Sequence, residues 1–165
     1  MRLSGVLQDS VVDGPGLRLV VFTQGCNHRC KGCHNQGTWA IDGGTDWSTE
    51  QLLAELDSNP LAKGVTISGG EPMLQAQQLI EFARAIKERG LELAIYSGFS
   101  FEEIIDDPGK LELLKHCDIL IDGRFDQSQR SLELMFKGSK NQRTIDVKKS
   151  LALGKAELTT DARWI

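Results

Sequence analysis

Four short apolar runs, each followed by a segment rich in glycine, cysteine or acid, constrain this chain more than any other feature of its sequence. Leu17 to Thr23 is β-branched and apolar, suited to a buried strand. Val65 to Ile67, Leu91 to Tyr96 and Ile119 to Ile121 repeat the pattern. Helical segments lie between them. Ser48 and Gln51 have the spacing of a capping box ahead of Leu52, Leu53 and Leu56. Gln75 to Arg89 places Leu79, Ile80, Phe82, Ala83 and Ile86 at helical spacing, and Gly90 closes it. Ser100 and Glu103 form a second capping box for a helix that stops before Pro108, and a shorter helix covers Leu111 to Lys115. Strand–helix alternation at one βα unit per strand predicts a parallel sheet. A closed eight-stranded barrel takes roughly 250 residues. The 165 residues present predict an α/β fold, either an incomplete, open-sided barrel or a flat doubly wound sheet.

In both architectures ligands gather at the carboxyl ends of the strands. The unusual residues fall there. Cys26 to Cys33 follows the first run, and Ser68-Gly69-Gly70-Glu71-Pro72 follows the second. Ser97-Gly98 follows the third, and Asp122-Gly123-Arg124 the fourth. All four segments are expected on one face.

Charge and hydropathy narrow the function. Nineteen Lys and Arg against 23 Asp and Glu give a net charge of −4, which argues against a nucleic-acid footprint. No apolar run reaches membrane-spanning length, and MRLSGVLQDS lacks the apolar core of a signal peptide. A cytoplasmic protein with no membrane or nucleic-acid partner is expected. The pattern weakens after Arg124, so 1–150 read as one domain and 151–165 as a C-terminal tail, free to be mobile.

Cys26, Cys30 and Cys33 are spaced C-x3-C-x2-C, while Cys117 stands alone. Thiolates bind iron–sulfur clusters, and a cubane has four irons. Three ligands leave one iron open to bind a substrate directly, whereas an electron-transfer site uses four. The rival is a zinc site of the three cysteines with His28 or His34. Cys117 reads as a buried small hydrophobe before a strand, His28 as a loop residue, and Trp39 and Trp47 as core anchors or part of a partner surface. Asp122 and Arg124 suit either a polar ligand contact or a surface ion pair. Gly69-Gly70 alone is the make-up of an ordinary turn.

Taken together, C-x3-C-x2-C after the first strand and Gly-Gly-Glu-Pro after the second resemble the radical S-adenosylmethionine (SAM) superfamily. Many of its members carry an aromatic residue before the third cysteine, where this chain has Gly32. That glycine is similar to the small activating proteins of anaerobic ribonucleoside-triphosphate reductase. Val12-Asp13-Gly14-Pro15-Gly16, Cys33-His34-Asn35, Tyr96-Ser97-Gly98 and Asp122-Gly123-Arg124-Phe125 agree with that branch. So does Gly138-Ser139-Lys140-Asn141-Gln142-Arg143. The resemblance runs from about Asp13 to Arg143 and stops before Ser150.

The resemblance implies an incomplete barrel and a [4Fe-4S] cluster on Cys26, Cys30 and Cys33. Its open iron would chelate SAM, with Gly69, Gly70 and Glu71 at the methionine end. Gly32, Cys33, His34, Ser97 and Asp122 complete the implied cofactor contacts. The implied activity is that of an oxidoreductase in which cluster and SAM carry the chemistry. Reductive cleavage of SAM leads to hydrogen abstraction from a glycine of the partner, anaerobic ribonucleoside-triphosphate reductase. With only Cys117 to spare, an inserted ferredoxin-like domain is not expected, which implies an external donor such as flavodoxin or ferredoxin. Two other readings remain: a radical SAM enzyme acting on a small molecule, of the deazapurine-synthesis type, and a zinc-binding interaction module.

Overall fold

The computed structural model describes residues 1–165. Its centre is formed by four parallel strands: β2 (Arg18–Thr23), β4 (Gly64–Gly69), β5 (Glu92–Ser97) and β6 (Ile119–Asp122). Three antiparallel strands extend them: β1 (Arg2–Ser10), β3 (Thr45–Asp46) and β7 (Arg143–Asp146). The order β3-β1-β2-β4-β5-β6-β7 leaves two edges unjoined, so the sheet is open.

Side chains alternate across the pleat. Leu19, Val21, Val65, Ile67, Leu93, Ile95 and Leu120 face one way and join the main core. The helices α1 (Thr49–Asp57), α2 (Ala76–Glu88), α3 (Phe101–Ile105) and α4 (Pro108–Leu114) cover that face. From α2, Leu79, Phe82 and Ile86 are wholly buried, each contributing about 1.5–3 kcal/mol of apolar burial. Both expected capping boxes are present. Ser48 caps α1 with Gln51, and Ser100 caps α3 with Glu103, each satisfying orphan amides in both directions.

The other face is concave and smaller. Ala94, Ile119 and Ile121 pack there with Trp164, flanked by Tyr96 and Phe136. The expected boundary at 150 falls inside α5 (Val147–Leu153). The residues beyond it are no detached tail. The Asp146 and Thr159 amides bond to Glu157 and Thr144 carbonyls at 2.9 Å, and the Trp164 side chain is fully buried. A single large aromatic at the second-last position anchors the segment, a signal too local for periodicity to register.

β1, β3 and β7 are the other departures from the expected all-parallel sheet. In β1 only Leu3 and Ser10 are buried, so no apolar run marks it. It is held between β2 and β3 by backbone pairing. No helix is long and apolar enough to cross a membrane.

Candidate metal and cofactor site

The carboxyl ends of β2, β4, β5 and β6 open into a cavity of about 590 Å³. All three clustered cysteines line it, with Ser68, Gly69 and Gly70 from β4 and Tyr96, Ser97 and Gly98 from β5. Phe22, Ile121 and Phe136 supply an apolar wall. Convergence of the four odd segments on one face is therefore observed.

The cysteine loop is pinned at its root. The Gly25 amide donates to the Thr38 carbonyl at 2.7 Å, and the Cys26 amide to the Trp39 carbonyl at 3.2 Å. Gln24, nearly buried, donates to Ala40 and Gly37 carbonyls. All four cysteines are free thiols; Cys26, Cys30 and Cys33 are half-buried and Cys117 is buried. Burial pushes the Cys26 thiol up, against backbone N–H groups of His28 and Arg29 aimed at its sulfur. A bound metal ion reverses that burial effect. The Cys33 sulfur accepts the Asn35 amide at 3.4 Å. No three His, Cys, Asp or Glu side chains converge on one ion position. Three soft thiolate donors spread along a cavity wall fit a multi-iron cluster.

The glycines after β4 show why that turn has no side chains. Gly69 has φ +96°, and a Cβ there would collide with the backbone of Phe22 and Thr23. A Cβ on Gly70 would run into the Gly25 carbonyl, one residue before Cys26. Donors bridge the same gap: the Glu71 amide bonds to the Gly25 carbonyl and the Gly70 amide to the Thr23 carbonyl, both at 2.8 Å. This turn is shaped first by the approach of two protein segments.

Of the expected cofactor contacts, Cys33, His34, Gly69, Gly70 and Ser97 line the cavity, whereas Gly32, Glu71 and Asp122 do not. Gly32, at φ +78°, turns against the Gln127 side chain. Asp122, 1% exposed, accepts the Phe101 amide at 2.7 Å and Arg143 Nε at 3.0 Å. It accepts the first amide of α3, which Ser100 caps, and pairs with Arg143 of β7. Glu71 is fully buried, its carboxylate within 2.9 Å of four donors. One of them is His28 Nε2 at 2.7 Å, so His28 is a buried partner and not a free loop residue. Its position between Cys26 and Cys30 was the available signal, and its distance in sequence from Glu71 hid the contact.

The segment Gly138 to Arg143 folds over the cavity edge. Gln142 accepts the Gly138 amide at 2.9 Å and donates to the Gly123 carbonyl at 3.0 Å. Asn141 donates to the Arg124 carbonyl at 2.8 Å. These amides tie the segment to the loop after β6.

Residues 12–145 match the family described as a 4Fe-4S single cluster domain. The anaerobic ribonucleoside-triphosphate reductase-activating protein of Haemophilus influenzae is 34% identical over 140 residues, covering 80% of this chain and 89% of that one. The chain belongs to this 4Fe-4S single cluster family, among the reductase-activating proteins. The protein of that name from Enterobacteria phage T4 is 34% identical over 138 residues, with 80% and 85% covered. A pyruvate formate-lyase-activating enzyme from Clostridium pasteurianum is 39% identical over 129 residues, which span 73% of this chain and 50% of that enzyme. Among solved structures, QueE from Escherichia coli aligns with a TM-score of 0.51 at 18% identity, covering 73% of this chain and 69% of that one. That likeness concerns the fold. The match over residues 12–145 takes in all three clustered cysteines and every strand from β2 to β6.

Proposed function

We propose that this chain is an activating enzyme that generates a glycyl radical on anaerobic ribonucleoside-triphosphate reductase. In this reading Cys26, Cys30 and Cys33 hold three irons of a [4Fe-4S] cluster, and the fourth iron takes the methionine amino and carboxylate groups of SAM. The observation that carries it is the meeting of three free thiols with the Gly69-Gly70 and Ser97-Gly98 turns around one cavity. The names of the relatives support the choice of partner.

When bound, the cluster supplies one electron to SAM, giving methionine and a 5′-deoxyadenosyl radical that takes the Cα hydrogen of a partner glycine. The rest falls to the chain. Backbone N–H groups of His28 and Arg29 stabilise the Cys26 thiolate. Gly69, Gly70, Ser97 and His34 offer backbone and side-chain polar groups to SAM along the cavity wall. Phe22, Ile121 and Phe136 keep water from the reacting centre. Leu7 and Val12 line the cavity yet stay exposed beside the open sheet, an opening suited to a polypeptide. The electron comes from an external protein such as flavodoxin or ferredoxin, and the reduced thiols suit a cytoplasmic setting.

The test is isotopic. With reductant, SAM and the reductase deuterated at glycine Cα, deuterium should enter 5′-deoxyadenosine. The partner should retain a carbon-centred radical, and the doublet splitting from one α-hydrogen should appear in the unlabelled protein. Label transfer from a small molecule, with no radical left on any protein, would contradict the proposal.

A further inference from the structure

We infer that His28 and Glu71 form a buried clasp that holds the cysteine loop in register with the carboxyl ends of β4 and β5. In this account His28 is a positioning residue for the cluster-binding loop. The inference rests on the cluster reading above.

The geometry of Glu71 carries the argument. Its Oε1 accepts the Met73 amide at 2.9 Å and the Ser97 hydroxyl at 2.8 Å. Its Oε2 accepts the Gly98 amide and His28 Nε2, both at 2.7 Å. A carboxylate offers about four acceptor sites, and here each has a donor. The group is fully buried, so accepting a SAM ammonium would mean releasing one of the four. Glu71 is therefore built to bind protein, and the methionine end of SAM is left to the backbone of the Gly69-Gly70 turn.

The four donors come from the turn after β4, from the end of β5 and from the cysteine loop. His28 provides the one side-chain hydrogen bond that leaves the segment Cys26 to Cys33 for the strand ends. Its ring stands edge-on to Phe99 at 4.6 Å between centroids. Gly98 makes room for it, since a Cβ there would overlap the imidazole. The side chain is 5% exposed. Cluster loop and SAM-side turns thus share one buried anchor.

Two short polar replacements separate this from a packing role. His28→Gln can carry its amide nitrogen to about the place of Nε2, whereas His28→Asn stops short; both remove the ring from Phe99. In anaerobically reconstituted full-length protein, the Gln variant should stay within about threefold of wild type. The Asn variant should lose iron to a chelator about tenfold faster and bind SAM about tenfold more weakly, as expected for one buried charge-assisted hydrogen bond. The reduced cluster's spin-resonance signal should shift on SAM addition in the Gln variant and shift incompletely in the Asn variant at the same concentration. Comparisons use proteins whose far-ultraviolet dichroism matches wild type, with the still shorter His28→Ser in place of Asn where Asn does not fold. Equal behaviour of the long and short variants, both intact or both impaired, overturns the clasp while leaving the cluster reading in place. Wild-type protein that retains no iron and sulfide overturns the cluster reading and the clasp with it.

Discussion

The two ends of the same parallel strands are built on opposite principles. At their amino ends, Arg18 is 1% exposed and every arm of its guanidinium is used. Nε donates to the Thr66 hydroxyl at 2.8 Å, Nη1 to Glu92 at 2.9 Å and Nη2 to the Val65 carbonyl at 3.0 Å. Gly64 clears space for it, and the Trp164 ring stacks under it at 5.3 Å. That end is a sealed floor in which the buried guanidinium is satisfied by protein. At the carboxyl ends, glycine turns press backbone against backbone, and three free thiols face a cavity. Stability is concentrated at the floor and chemistry at the mouth, the division expected of barrel-like α/β folds.

The sharpest way to break this comparison is at the mouth. Replacing any one of Cys26, Cys30 or Cys33 by Ala should abolish cluster retention and SAM cleavage while leaving the thermal midpoint of the apo protein nearly unchanged. Iron and sulfide analysis reads the first result and dichroism the second. Near-stoichiometric iron in all three variants would contradict the three-ligand assignment. Cys117→Ala should keep its cluster.

Gly70→Val crosses the division, because its side chain meets the Gly25 carbonyl at the root of the cysteine loop. It should cost about 3 kcal/mol of stability as an overpacked site and lower iron uptake as well. Loss of SAM affinity with full stability and full cluster content would show that Gly70 faces only the ligand.

Arg18→Ala attacks the floor alone. Removing one partner of a buried pair costs about 3–5 kcal/mol. Glu92 keeps Arg163 at 2.9 Å as a second partner, so a loss near about 3 kcal/mol is expected in denaturant titrations. Cluster content of the remaining folded protein should be normal. Failure to bind iron would mean that floor and mouth are not separable.

Trp164→Phe should have a smaller effect. The indole Nε1 is the one buried side-chain nitrogen or oxygen without a hydrogen-bond partner. Replacing the ring loses volume but also removes that desolvated donor, a penalty of about 1–3 kcal/mol. The net change in stability should stay within about 1 kcal/mol.

The smallest effect concerns the fourth thiol. Burial pushes Cys117 far above the ordinary thiol range. In folded apo protein at mildly alkaline pH an alkylating reagent should label three cysteines and spare Cys117, with mass spectrometry counting the adducts. Four adducts under native conditions would place Cys117 in contact with solvent.

Legibility in the sequence followed the same division. The parallel strands, both capping boxes and the clustering of the odd segments were readable, because pleat alternation and capping are local signals. β1 was not, since its pairing is backbone-driven and its side chains are mostly solvent-facing. Trp164 was missed because one residue carries its anchoring. At the site, the gathering of Cys26, Cys30 and Cys33 at one cavity followed from their spacing and their place after β2. The roles of Glu71, Asp122 and Ser97 were not, because motif resemblance reports a residue's neighbourhood and not which way its side chain points. Ser97 donates to Glu71 at 2.8 Å, and Asp122 serves Phe101 and Arg143. Both side chains are tied into the mouth by protein hydrogen bonds, Ser97 while still lining the cavity.

The proposed function puts a four-iron cluster on three cysteines at the mouth, with SAM on the remaining iron. The direct measurement is electron–nuclear double resonance on anaerobically reconstituted, reduced protein with SAM labelled with nitrogen-15 at its amino group, alongside iron, sulfide and zinc analysis. The account expects about four irons and four sulfides per chain, as a cubane requires, and a nitrogen-15 coupling that disappears without SAM. One zinc per chain with no iron, or a full cluster showing no coupling to the labelled amino group, would contradict it.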